Sequence, residues 1–443
     1  MKRLWVVLLA LGWIAISSTV VFALDVKFSG EYSATGMYLD RSSFVKDASP
    51  LSGTSTAFYF QRLRVRTDFV VSPGLTLVTR FDAMERAWGA ARSAPGTAQA
   101  ADSAGTRAEN ENIAVDWAYL EYKSPVGVFS AGYMNDGSTG TVFGNSYGPK
   151  GRIKYSVGYG PARLNLAYTK EREASNMATN ATTRVDLDND KYGIEGVFTW
   201  KTGKAGMQIN YYNYANSRAA AQPFKRQYLL FTPYVITKLG PVALQAEFNY
   251  LTGDDKYENN GITPDVKLQN YSGWMDATAD FGLFYAGGSV AFVSGNDPAT
   301  VDKNEGGIIN GGRDWNPCLI MWNYDRTNWA GVLTGWNGTQ QDTAMANGWF
   351  AQLRGGVRPM DKLDIMASVS WAHADKTLSA QWESRDYGYE VDLTATYKIT
   401  NNLSYMLGGG YLFTGDWYKG INIGGTNEIQ NNFLVLNKLT LTF

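Results

Sequence analysis

The segment 386–398 reads Asp-Tyr-Gly-Tyr-Glu-Val-Asp-Leu-Thr-Ala-Thr-Tyr-Lys, and this alternation constrains the fold more than any other feature of the chain. Tyr387, Tyr389, Val391, Leu393, Ala395 and Tyr397 share one face at a period of two. Gly388, Glu390, Asp392, Thr394, Thr396 and Lys398 share the other. A helix would scatter these residues around its axis, whereas a strand sorts them. At about 3.3 Å per residue the segment reaches roughly 40 Å, enough to cross a bilayer at a tilt. Its charged face needs water, which bulk solvent supplies to a soluble sandwich and a lumen supplies to a membrane barrel.

The same pattern recurs along the chain. Strands are expected at 24–34, 58–71, from 75 onward, 113–123 and 128–134. Hairpins follow with turns at 158–161, 201–206 and 238–241. Further strands are expected near 270–280, 283–293, 345–358, 363–372, 403–413 and 432–443, with Asp386–Lys398 among them. Short turns such as Ser72-Pro73-Gly74 and Ser124-Pro125-Val126-Gly127 alternate with long polar loops, of which 294–343 is the longest. About eighteen strands with strictly alternating short and long connections describe an all-β fold, a single antiparallel transmembrane barrel with short periplasmic turns and long extracellular loops. A soluble sandwich has no reason to segregate loop length in this way.

Both chain ends agree with export to an outer membrane. Lys2 and Arg3 precede an apolar run from Leu4 to Ile16, and Val21-Phe22-Ala23 is a plausible cleavage site. Residues 1–23 thus read as a secretory signal peptide and 24–443 as the barrel. After residue 23 no apolar run approaches the roughly 18 residues of a spanning helix. Leu439, Leu441 and Phe443 alternate to the last residue, an ending that resembles the assembly signal read by the bacterial barrel-assembly machinery. Lys+Arg number 40 against Asp+Glu 41, so overall charge does not point to nucleic acid. One Cys and one His exclude an intramolecular disulfide and a Cys/His metal site. No cofactor motif is present.

The run Tyr387-Gly388-Tyr389-Glu390-Val391-Asp392-Leu393, followed after a turn by Gly409-Gly410-Tyr411-Leu412-Phe413-Thr414-Gly415-Asp416, resembles the closing strands of the alginate-export porin family. The Arg-alternating stretch at 62–66, with Arg80-Phe81-Asp82, is similar to that family's early hairpin. The resemblance implies an eighteen-stranded outer-membrane barrel whose charged lumen passes an anionic polysaccharide.

Wall charge and constriction set what a water-filled pore passes. Arg62, Arg64 and Arg66 project to one side, with Asp68 and Asp82 as candidate partners on the same face. Arg80, Arg86, Arg152, Lys154 and Arg163 extend this basic wall. Glu390 and Asp392, with Glu195 and Glu247, form a candidate acidic counterwall. Arginine suits anionic solutes because its planar fork binds carboxylate or phosphate bidentately. Trp200, Tyr234, Tyr250, Tyr285, Tyr397 and Tyr411 read as membrane-girdle aromatics. The acids at 297–305 and 254–255 lack an EF-hand register and read as solvated turns.

The leading expectation is therefore a porin in the bacterial outer membrane, not an enzyme. It would be surrounded by lipid and would pass small hydrophilic solutes, such as acidic saccharides, by diffusion. Two alternatives remain at this level. One is a non-conducting barrel housing a partner protein. The other is an outer-membrane hydrolase using His373 with Ser368 or Ser370.

Overall fold

In a computed structural model, the described residues are 25–46, 53–89, 113–137, 140–146, 148–174, 186–258, 261–341 and 343–443. The signal peptide expected at 1–23 lies outside them. Eighteen strands form one closed antiparallel sheet. They are β1 (Asp25–Leu39), β2 (Thr56–Ser72), β3 (Leu75–Ala87), β4 (Ile113–Ser124), β5 (Gly127–Asn135), β6 (Pro149–Tyr159), β7 (Ala162–Arg172), β8 (Asn189–Trp200) and β9 (Gly203–Tyr214). They continue with β10 (Phe224–Leu239), β11 (Val242–Tyr257), β12 (Val266–Asp280), β13 (Phe284–Val293), β14 (Gly348–Met360), β15 (Leu363–Ala374), β16 (Asp386–Lys398), β17 (Leu403–Thr414) and β18 (Asn432–Thr442). Each strand pairs with its sequence neighbour. β18 closes on β1 from Glu31↔Thr442 to Leu39↔Leu434. Gly30 and Phe443 exchange two backbone hydrogen bonds at 2.8 and 3.0 Å, so the terminal residue completes the ladder. Closure leaves no strand edge unpaired, the condition for a sheet to stand in lipid.

The exterior is apolar. Val115, Ile153, Leu353, Val369 and Leu393 are exposed there, and Phe231, Tyr250 and Tyr271 stack edge by edge as part of an aromatic girdle. Only lipid covers such a band favourably, and the barrel is a multi-pass protein of the bacterial outer membrane.

Two β-bulges change the side on which predicted residues lie. Met84 has φ +53°, and the β2–β3 register shifts between Gln61 and Leu63. Beyond it Glu85, not Arg86, reaches Arg62, at 3.9 Å. Arg86 stands opposite Gln61 on the outer side, not in the basic lumen wall. The second bulge lies between β15 and β16, where Gly388 has φ +113° and a Cβ would come within 2.0 Å of the Phe413 carbonyl. It turns Tyr387 inward against Trp322 and Trp417, whereas Tyr389 faces lipid as the alternation implies. A bulge adds one residue and so inverts the sequence parity beyond it.

The core sits inside the barrel. β13 pairs directly with β14, and between them residues 315–341 and 343–345 pack inside the lumen. Trp315, Ile320, Met321, Trp322 and Met345 pack on Phe60, Trp274, Phe350 and Tyr387 of the wall. Helix α1 (Tyr324–Ala330) begins at Asn323, whose side chain accepts the Arg326 amide at 2.9 Å. Arg326 is only 1% exposed and donates to the carbonyls of Ile320 and Gly331, to Thr327 Oγ1 and to Gln341 Oε1. Burial lowers its pKa to about 10, which leaves it protonated at neutral pH.

Arg326→Met should leave three buried acceptors and the Gly331 carbonyl without their donor and cost the loop about 2–4 kcal/mol of local stability. Limited proteolysis should then cut within 317–341 while the barrel keeps its resistance to SDS. Unchanged cleavage would contradict this organising role.

Candidate functional site: the lumen and its inward loops

Strand alternation delivers the basic wall to the lumen already matched with acids. Arg64 and Asp82 form a bidentate pair with both bonds at 2.6 Å. Arg66 holds Asp68 at 2.8 and 3.1 Å. Arg80 binds Asp116 at 3.1 and 2.6 Å, with its guanidinium 3.9 Å above the Trp117 ring. Arg152 meets Asp136 at 3.3 Å and donates to the Asn135 carbonyl at 2.6 Å. Lys191 bridges Asp136 and Glu171. Of these, Asp116, Asp136, Glu171, Lys191 and Trp117 escaped the sequence reading. Lys191 was detectable, since it alternates with the outward Tyr192. Asp136 lies beyond the end of β5, where no period points to it.

The expected acidic counterwall is not free. Glu195 accepts hydrogen bonds from Asn165 at 2.6 Å and from Tyr234 at 2.8 Å. Glu247 accepts the amide and hydroxyl of Thr141, both at 2.8 Å, and the amide of Asn249 at 3.0 Å. Gly140 and Gly144, with φ +80° and +71°, let segment 140–146 wrap this carboxylate; a Cβ on either would lie within 2.6 Å of it. Glu390 accepts the amides of Ile320 and Met321 at 2.6 and 2.7 Å, and Asp392 accepts that of Leu319 at 3.4 Å. Gln352 adds a bond to the Pro317 carbonyl at 2.7 Å. Glu247, Glu390 and Asp392 hold loops inside the barrel, and Glu195 ties β8 to Asn165 of β7 and Tyr234 of β10. They do not face the basic strands across open water.

Two predicted girdle residues also belong to the lumen. Tyr234 is buried against Glu195, and Tyr285 donates to Asp364 at 2.7 Å with Arg358 over its ring. Of the acids expected in solvated turns, Asp255, Asp297 and Glu305 are paired. Asp297 binds Lys376 at 3.0 Å, and Asp255 holds Arg226 bidentately at 2.7 Å. The amide of Ala299 and then Lys376 keep the Asp297 carboxyl below its usual range.

Against this background, Lys154 and Arg163 line β6 and β7 without an ion pair to a carboxylate among the described residues. Lys204 of β9 meets only the ring of Tyr234, at 5.7 Å. Lys154 borders a cavity of about 120 Å³, and a separate lumen cavity of about 290 Å³ is lined by Glu171, Lys191, Tyr212, Tyr228 and Asn249. It offers hydrogen-bonding groups of both kinds and two stacked phenol rings, with centroids 4.4 Å apart.

His373 stacks on Trp371 at 5.7 Å, and both residues lie on the outer face. Ser368 and Ser370 are buried on the inner face. A period of two places acid–base and nucleophile candidates on opposite sides of β15, so they form no catalytic pair.

No protein-family model and no curated protein matches the chain. Solved structures do. Pseudomonas aeruginosa OccK2 (OpdF) in complex with glucuronate is 13% identical, with a TM-score of 0.51, covering 95% of this chain and 98% of that one. P. aeruginosa OpdQ is 12% identical at 0.51, with the same coverage. P. aeruginosa OccK11 (OpdR) is 11% identical at 0.50, covering 94% and 96%. At such identities the likeness establishes the fold alone, a closed eighteen-stranded antiparallel barrel.

Glu390→Ala should orphan the amides of Ile320 and Met321, a cost of about 1–3 kcal/mol for each buried donor. Hydrogen exchange at 317–322 should accelerate by about tenfold or more. Exchange as slow as in the wild type would show that Glu390 does not hold the loop.

Proposed function

We propose that this barrel is a passive outer-membrane channel for small hydrophilic solutes, with a preference for anions such as acidic monosaccharides. The distribution of lumen charge carries the reading. The carboxylates Glu195, Glu247, Glu390 and Asp392 are engaged by hydrogen-bond donors, while Lys154, Arg163 and Lys204 lie on the inner face without an ion pair to a carboxylate among the described residues. Fixed positive charge in a low-dielectric wall raises the local concentration of anions. A structural relative was solved with bound glucuronate, a solute of this class. The apolar core inside the barrel favours a sugar-sized solute over a long polyuronate chain such as alginate.

The same core supports a second reading, a barrel that does not conduct and presents its loops to a partner. Conductance of the purified protein in planar bilayers separates the two. The opposed faces of His373 and Ser370 argue against that pair as a hydrolase centre.

In a salt gradient the wild-type reversal potential should report anion preference, and Lys154→Glu combined with Arg163→Glu should move it toward cations. Cation preference in the wild type would overturn the anionic reading, and absence of conductance would favour the closed barrel.

A further inference from the structure

Cys318 of the inward loop meets the barrel wall at Glu390 and Asp392. One donor atom from each lies within 4.8 Å of the other two, and all three side chains are buried. Residues i and i+2 of a strand share a face, so β16 itself forces the two carboxylates together. Their hydrogen-bond partners among the described residues are neutral: the amides of Leu319, Ile320 and Met321, and the Ser368 hydroxyl. Among the described residues no cationic side chain is hydrogen-bonded or ion-paired to either carboxylate; buried Arg326 acts on Glu390 through space while its own donors bind neutral acceptors. Asp392 is 3% exposed, yet its Oδ1 is buried without a hydrogen-bond partner among the described residues.

Gly410 of β17 stands opposite Asp392. A Cβ there would lie 2.6 Å from Asp392 Oδ1 and 3.3 Å from Glu390 Oε1. The glycine therefore keeps space beside the orphan oxygen. Ca²⁺ and Mg²⁺ take oxygen donors, whereas one thiol with two carboxylates suits the borderline Zn²⁺. Tetrahedral Zn²⁺ sets its donors roughly 3.5 Å apart, so these three need to draw in by about 1 Å.

We propose that Cys318, Glu390 and Asp392 form a Zn²⁺ site on the seam between the inward loop and the wall, with water as fourth ligand. On binding, the Cys318 thiol releases its proton to solvent and both carboxylates bind ionised. The ion supplies positive charge in direct contact with both carboxylates and ties the loop to β16 through Cys318. The site goes beyond the channel reading and does not require it.

Titration of the detergent-folded, full-length protein with Zn²⁺ after chelation should show one tightly held ion per chain. Substitution with Co²⁺ should produce a thiolate-to-metal charge-transfer band, which only a cysteine ligand generates. Cys318→Ser should lose the band and the stoichiometric ion while remaining folded, as judged by heat-modifiable migration in SDS. Gly410→Ala keeps the thiol but fills the space beside Asp392, and should weaken or abolish the band. If the wild type holds no more Zn²⁺ than Cys318→Ser and shows no band, the proposal fails, and protons must neutralise the carboxylates. A band unaltered by both Gly410→Ala and Asp392→Asn would equally overturn the assigned ligand set.

Discussion

One wall carboxylate, Glu390, receives two consecutive backbone amides of the inward loop, and the shape of the lumen depends on that contact. A buried carboxylate without a cation is costly unless charge-assisted hydrogen bonds satisfy it. The amides of Ile320 and Met321 do so at 2.6 and 2.7 Å. Those amides would otherwise be orphaned as the loop enters an apolar interior. Each partner meets the other's need, and the contact fixes where Trp315, Trp322 and Met345 pack. Arg326 performs the complementary task inside the loop, as a buried cation surrounded by neutral acceptors.

The same principle distributes charge around the barrel. Glu195 on β8, Glu247 on β11 and Glu390 on β16 bind neutral donors, whereas Asp82, Asp116 and Asp136 pair with arginine. The chain is nearly neutral, with 40 basic and 41 acidic residues, yet its lumen is not uniformly so. Selectivity depends on which charges remain facing water, a property that composition does not contain.

Glu390 and Asp392 illustrate how far a sequence reading reaches. Their inward direction was legible, because the alternation through 386–398 survives from Gly388 onward. Their role was not, because their partners lie about seventy residues away in a segment without periodicity. Tyr387 and Arg86 were misplaced for a different reason: each lies beyond a bulge, where one extra residue inverts parity. Tyr234 and Tyr285 were assigned to lipid because aromatics favour the membrane interface, although each carries a hydroxyl that the lumen satisfies. The lone Cys318 excluded a Cys/His metal site, but not a mixed thiolate–carboxylate one assembled across the seam.

The sequence by itself determined the barrel: the period of two, the alternation of short and long connections and the final Phe443 are local signals that each strand carries independently. Eighteen such strands must close, since lipid leaves no alternative for their edges. Only the tertiary structure decided how the lumen is used. Loop entry, the engagement of the acidic residues and the exposure of Lys154 and Arg163 arise from contacts between distant segments, and such contacts leave no period in the chain.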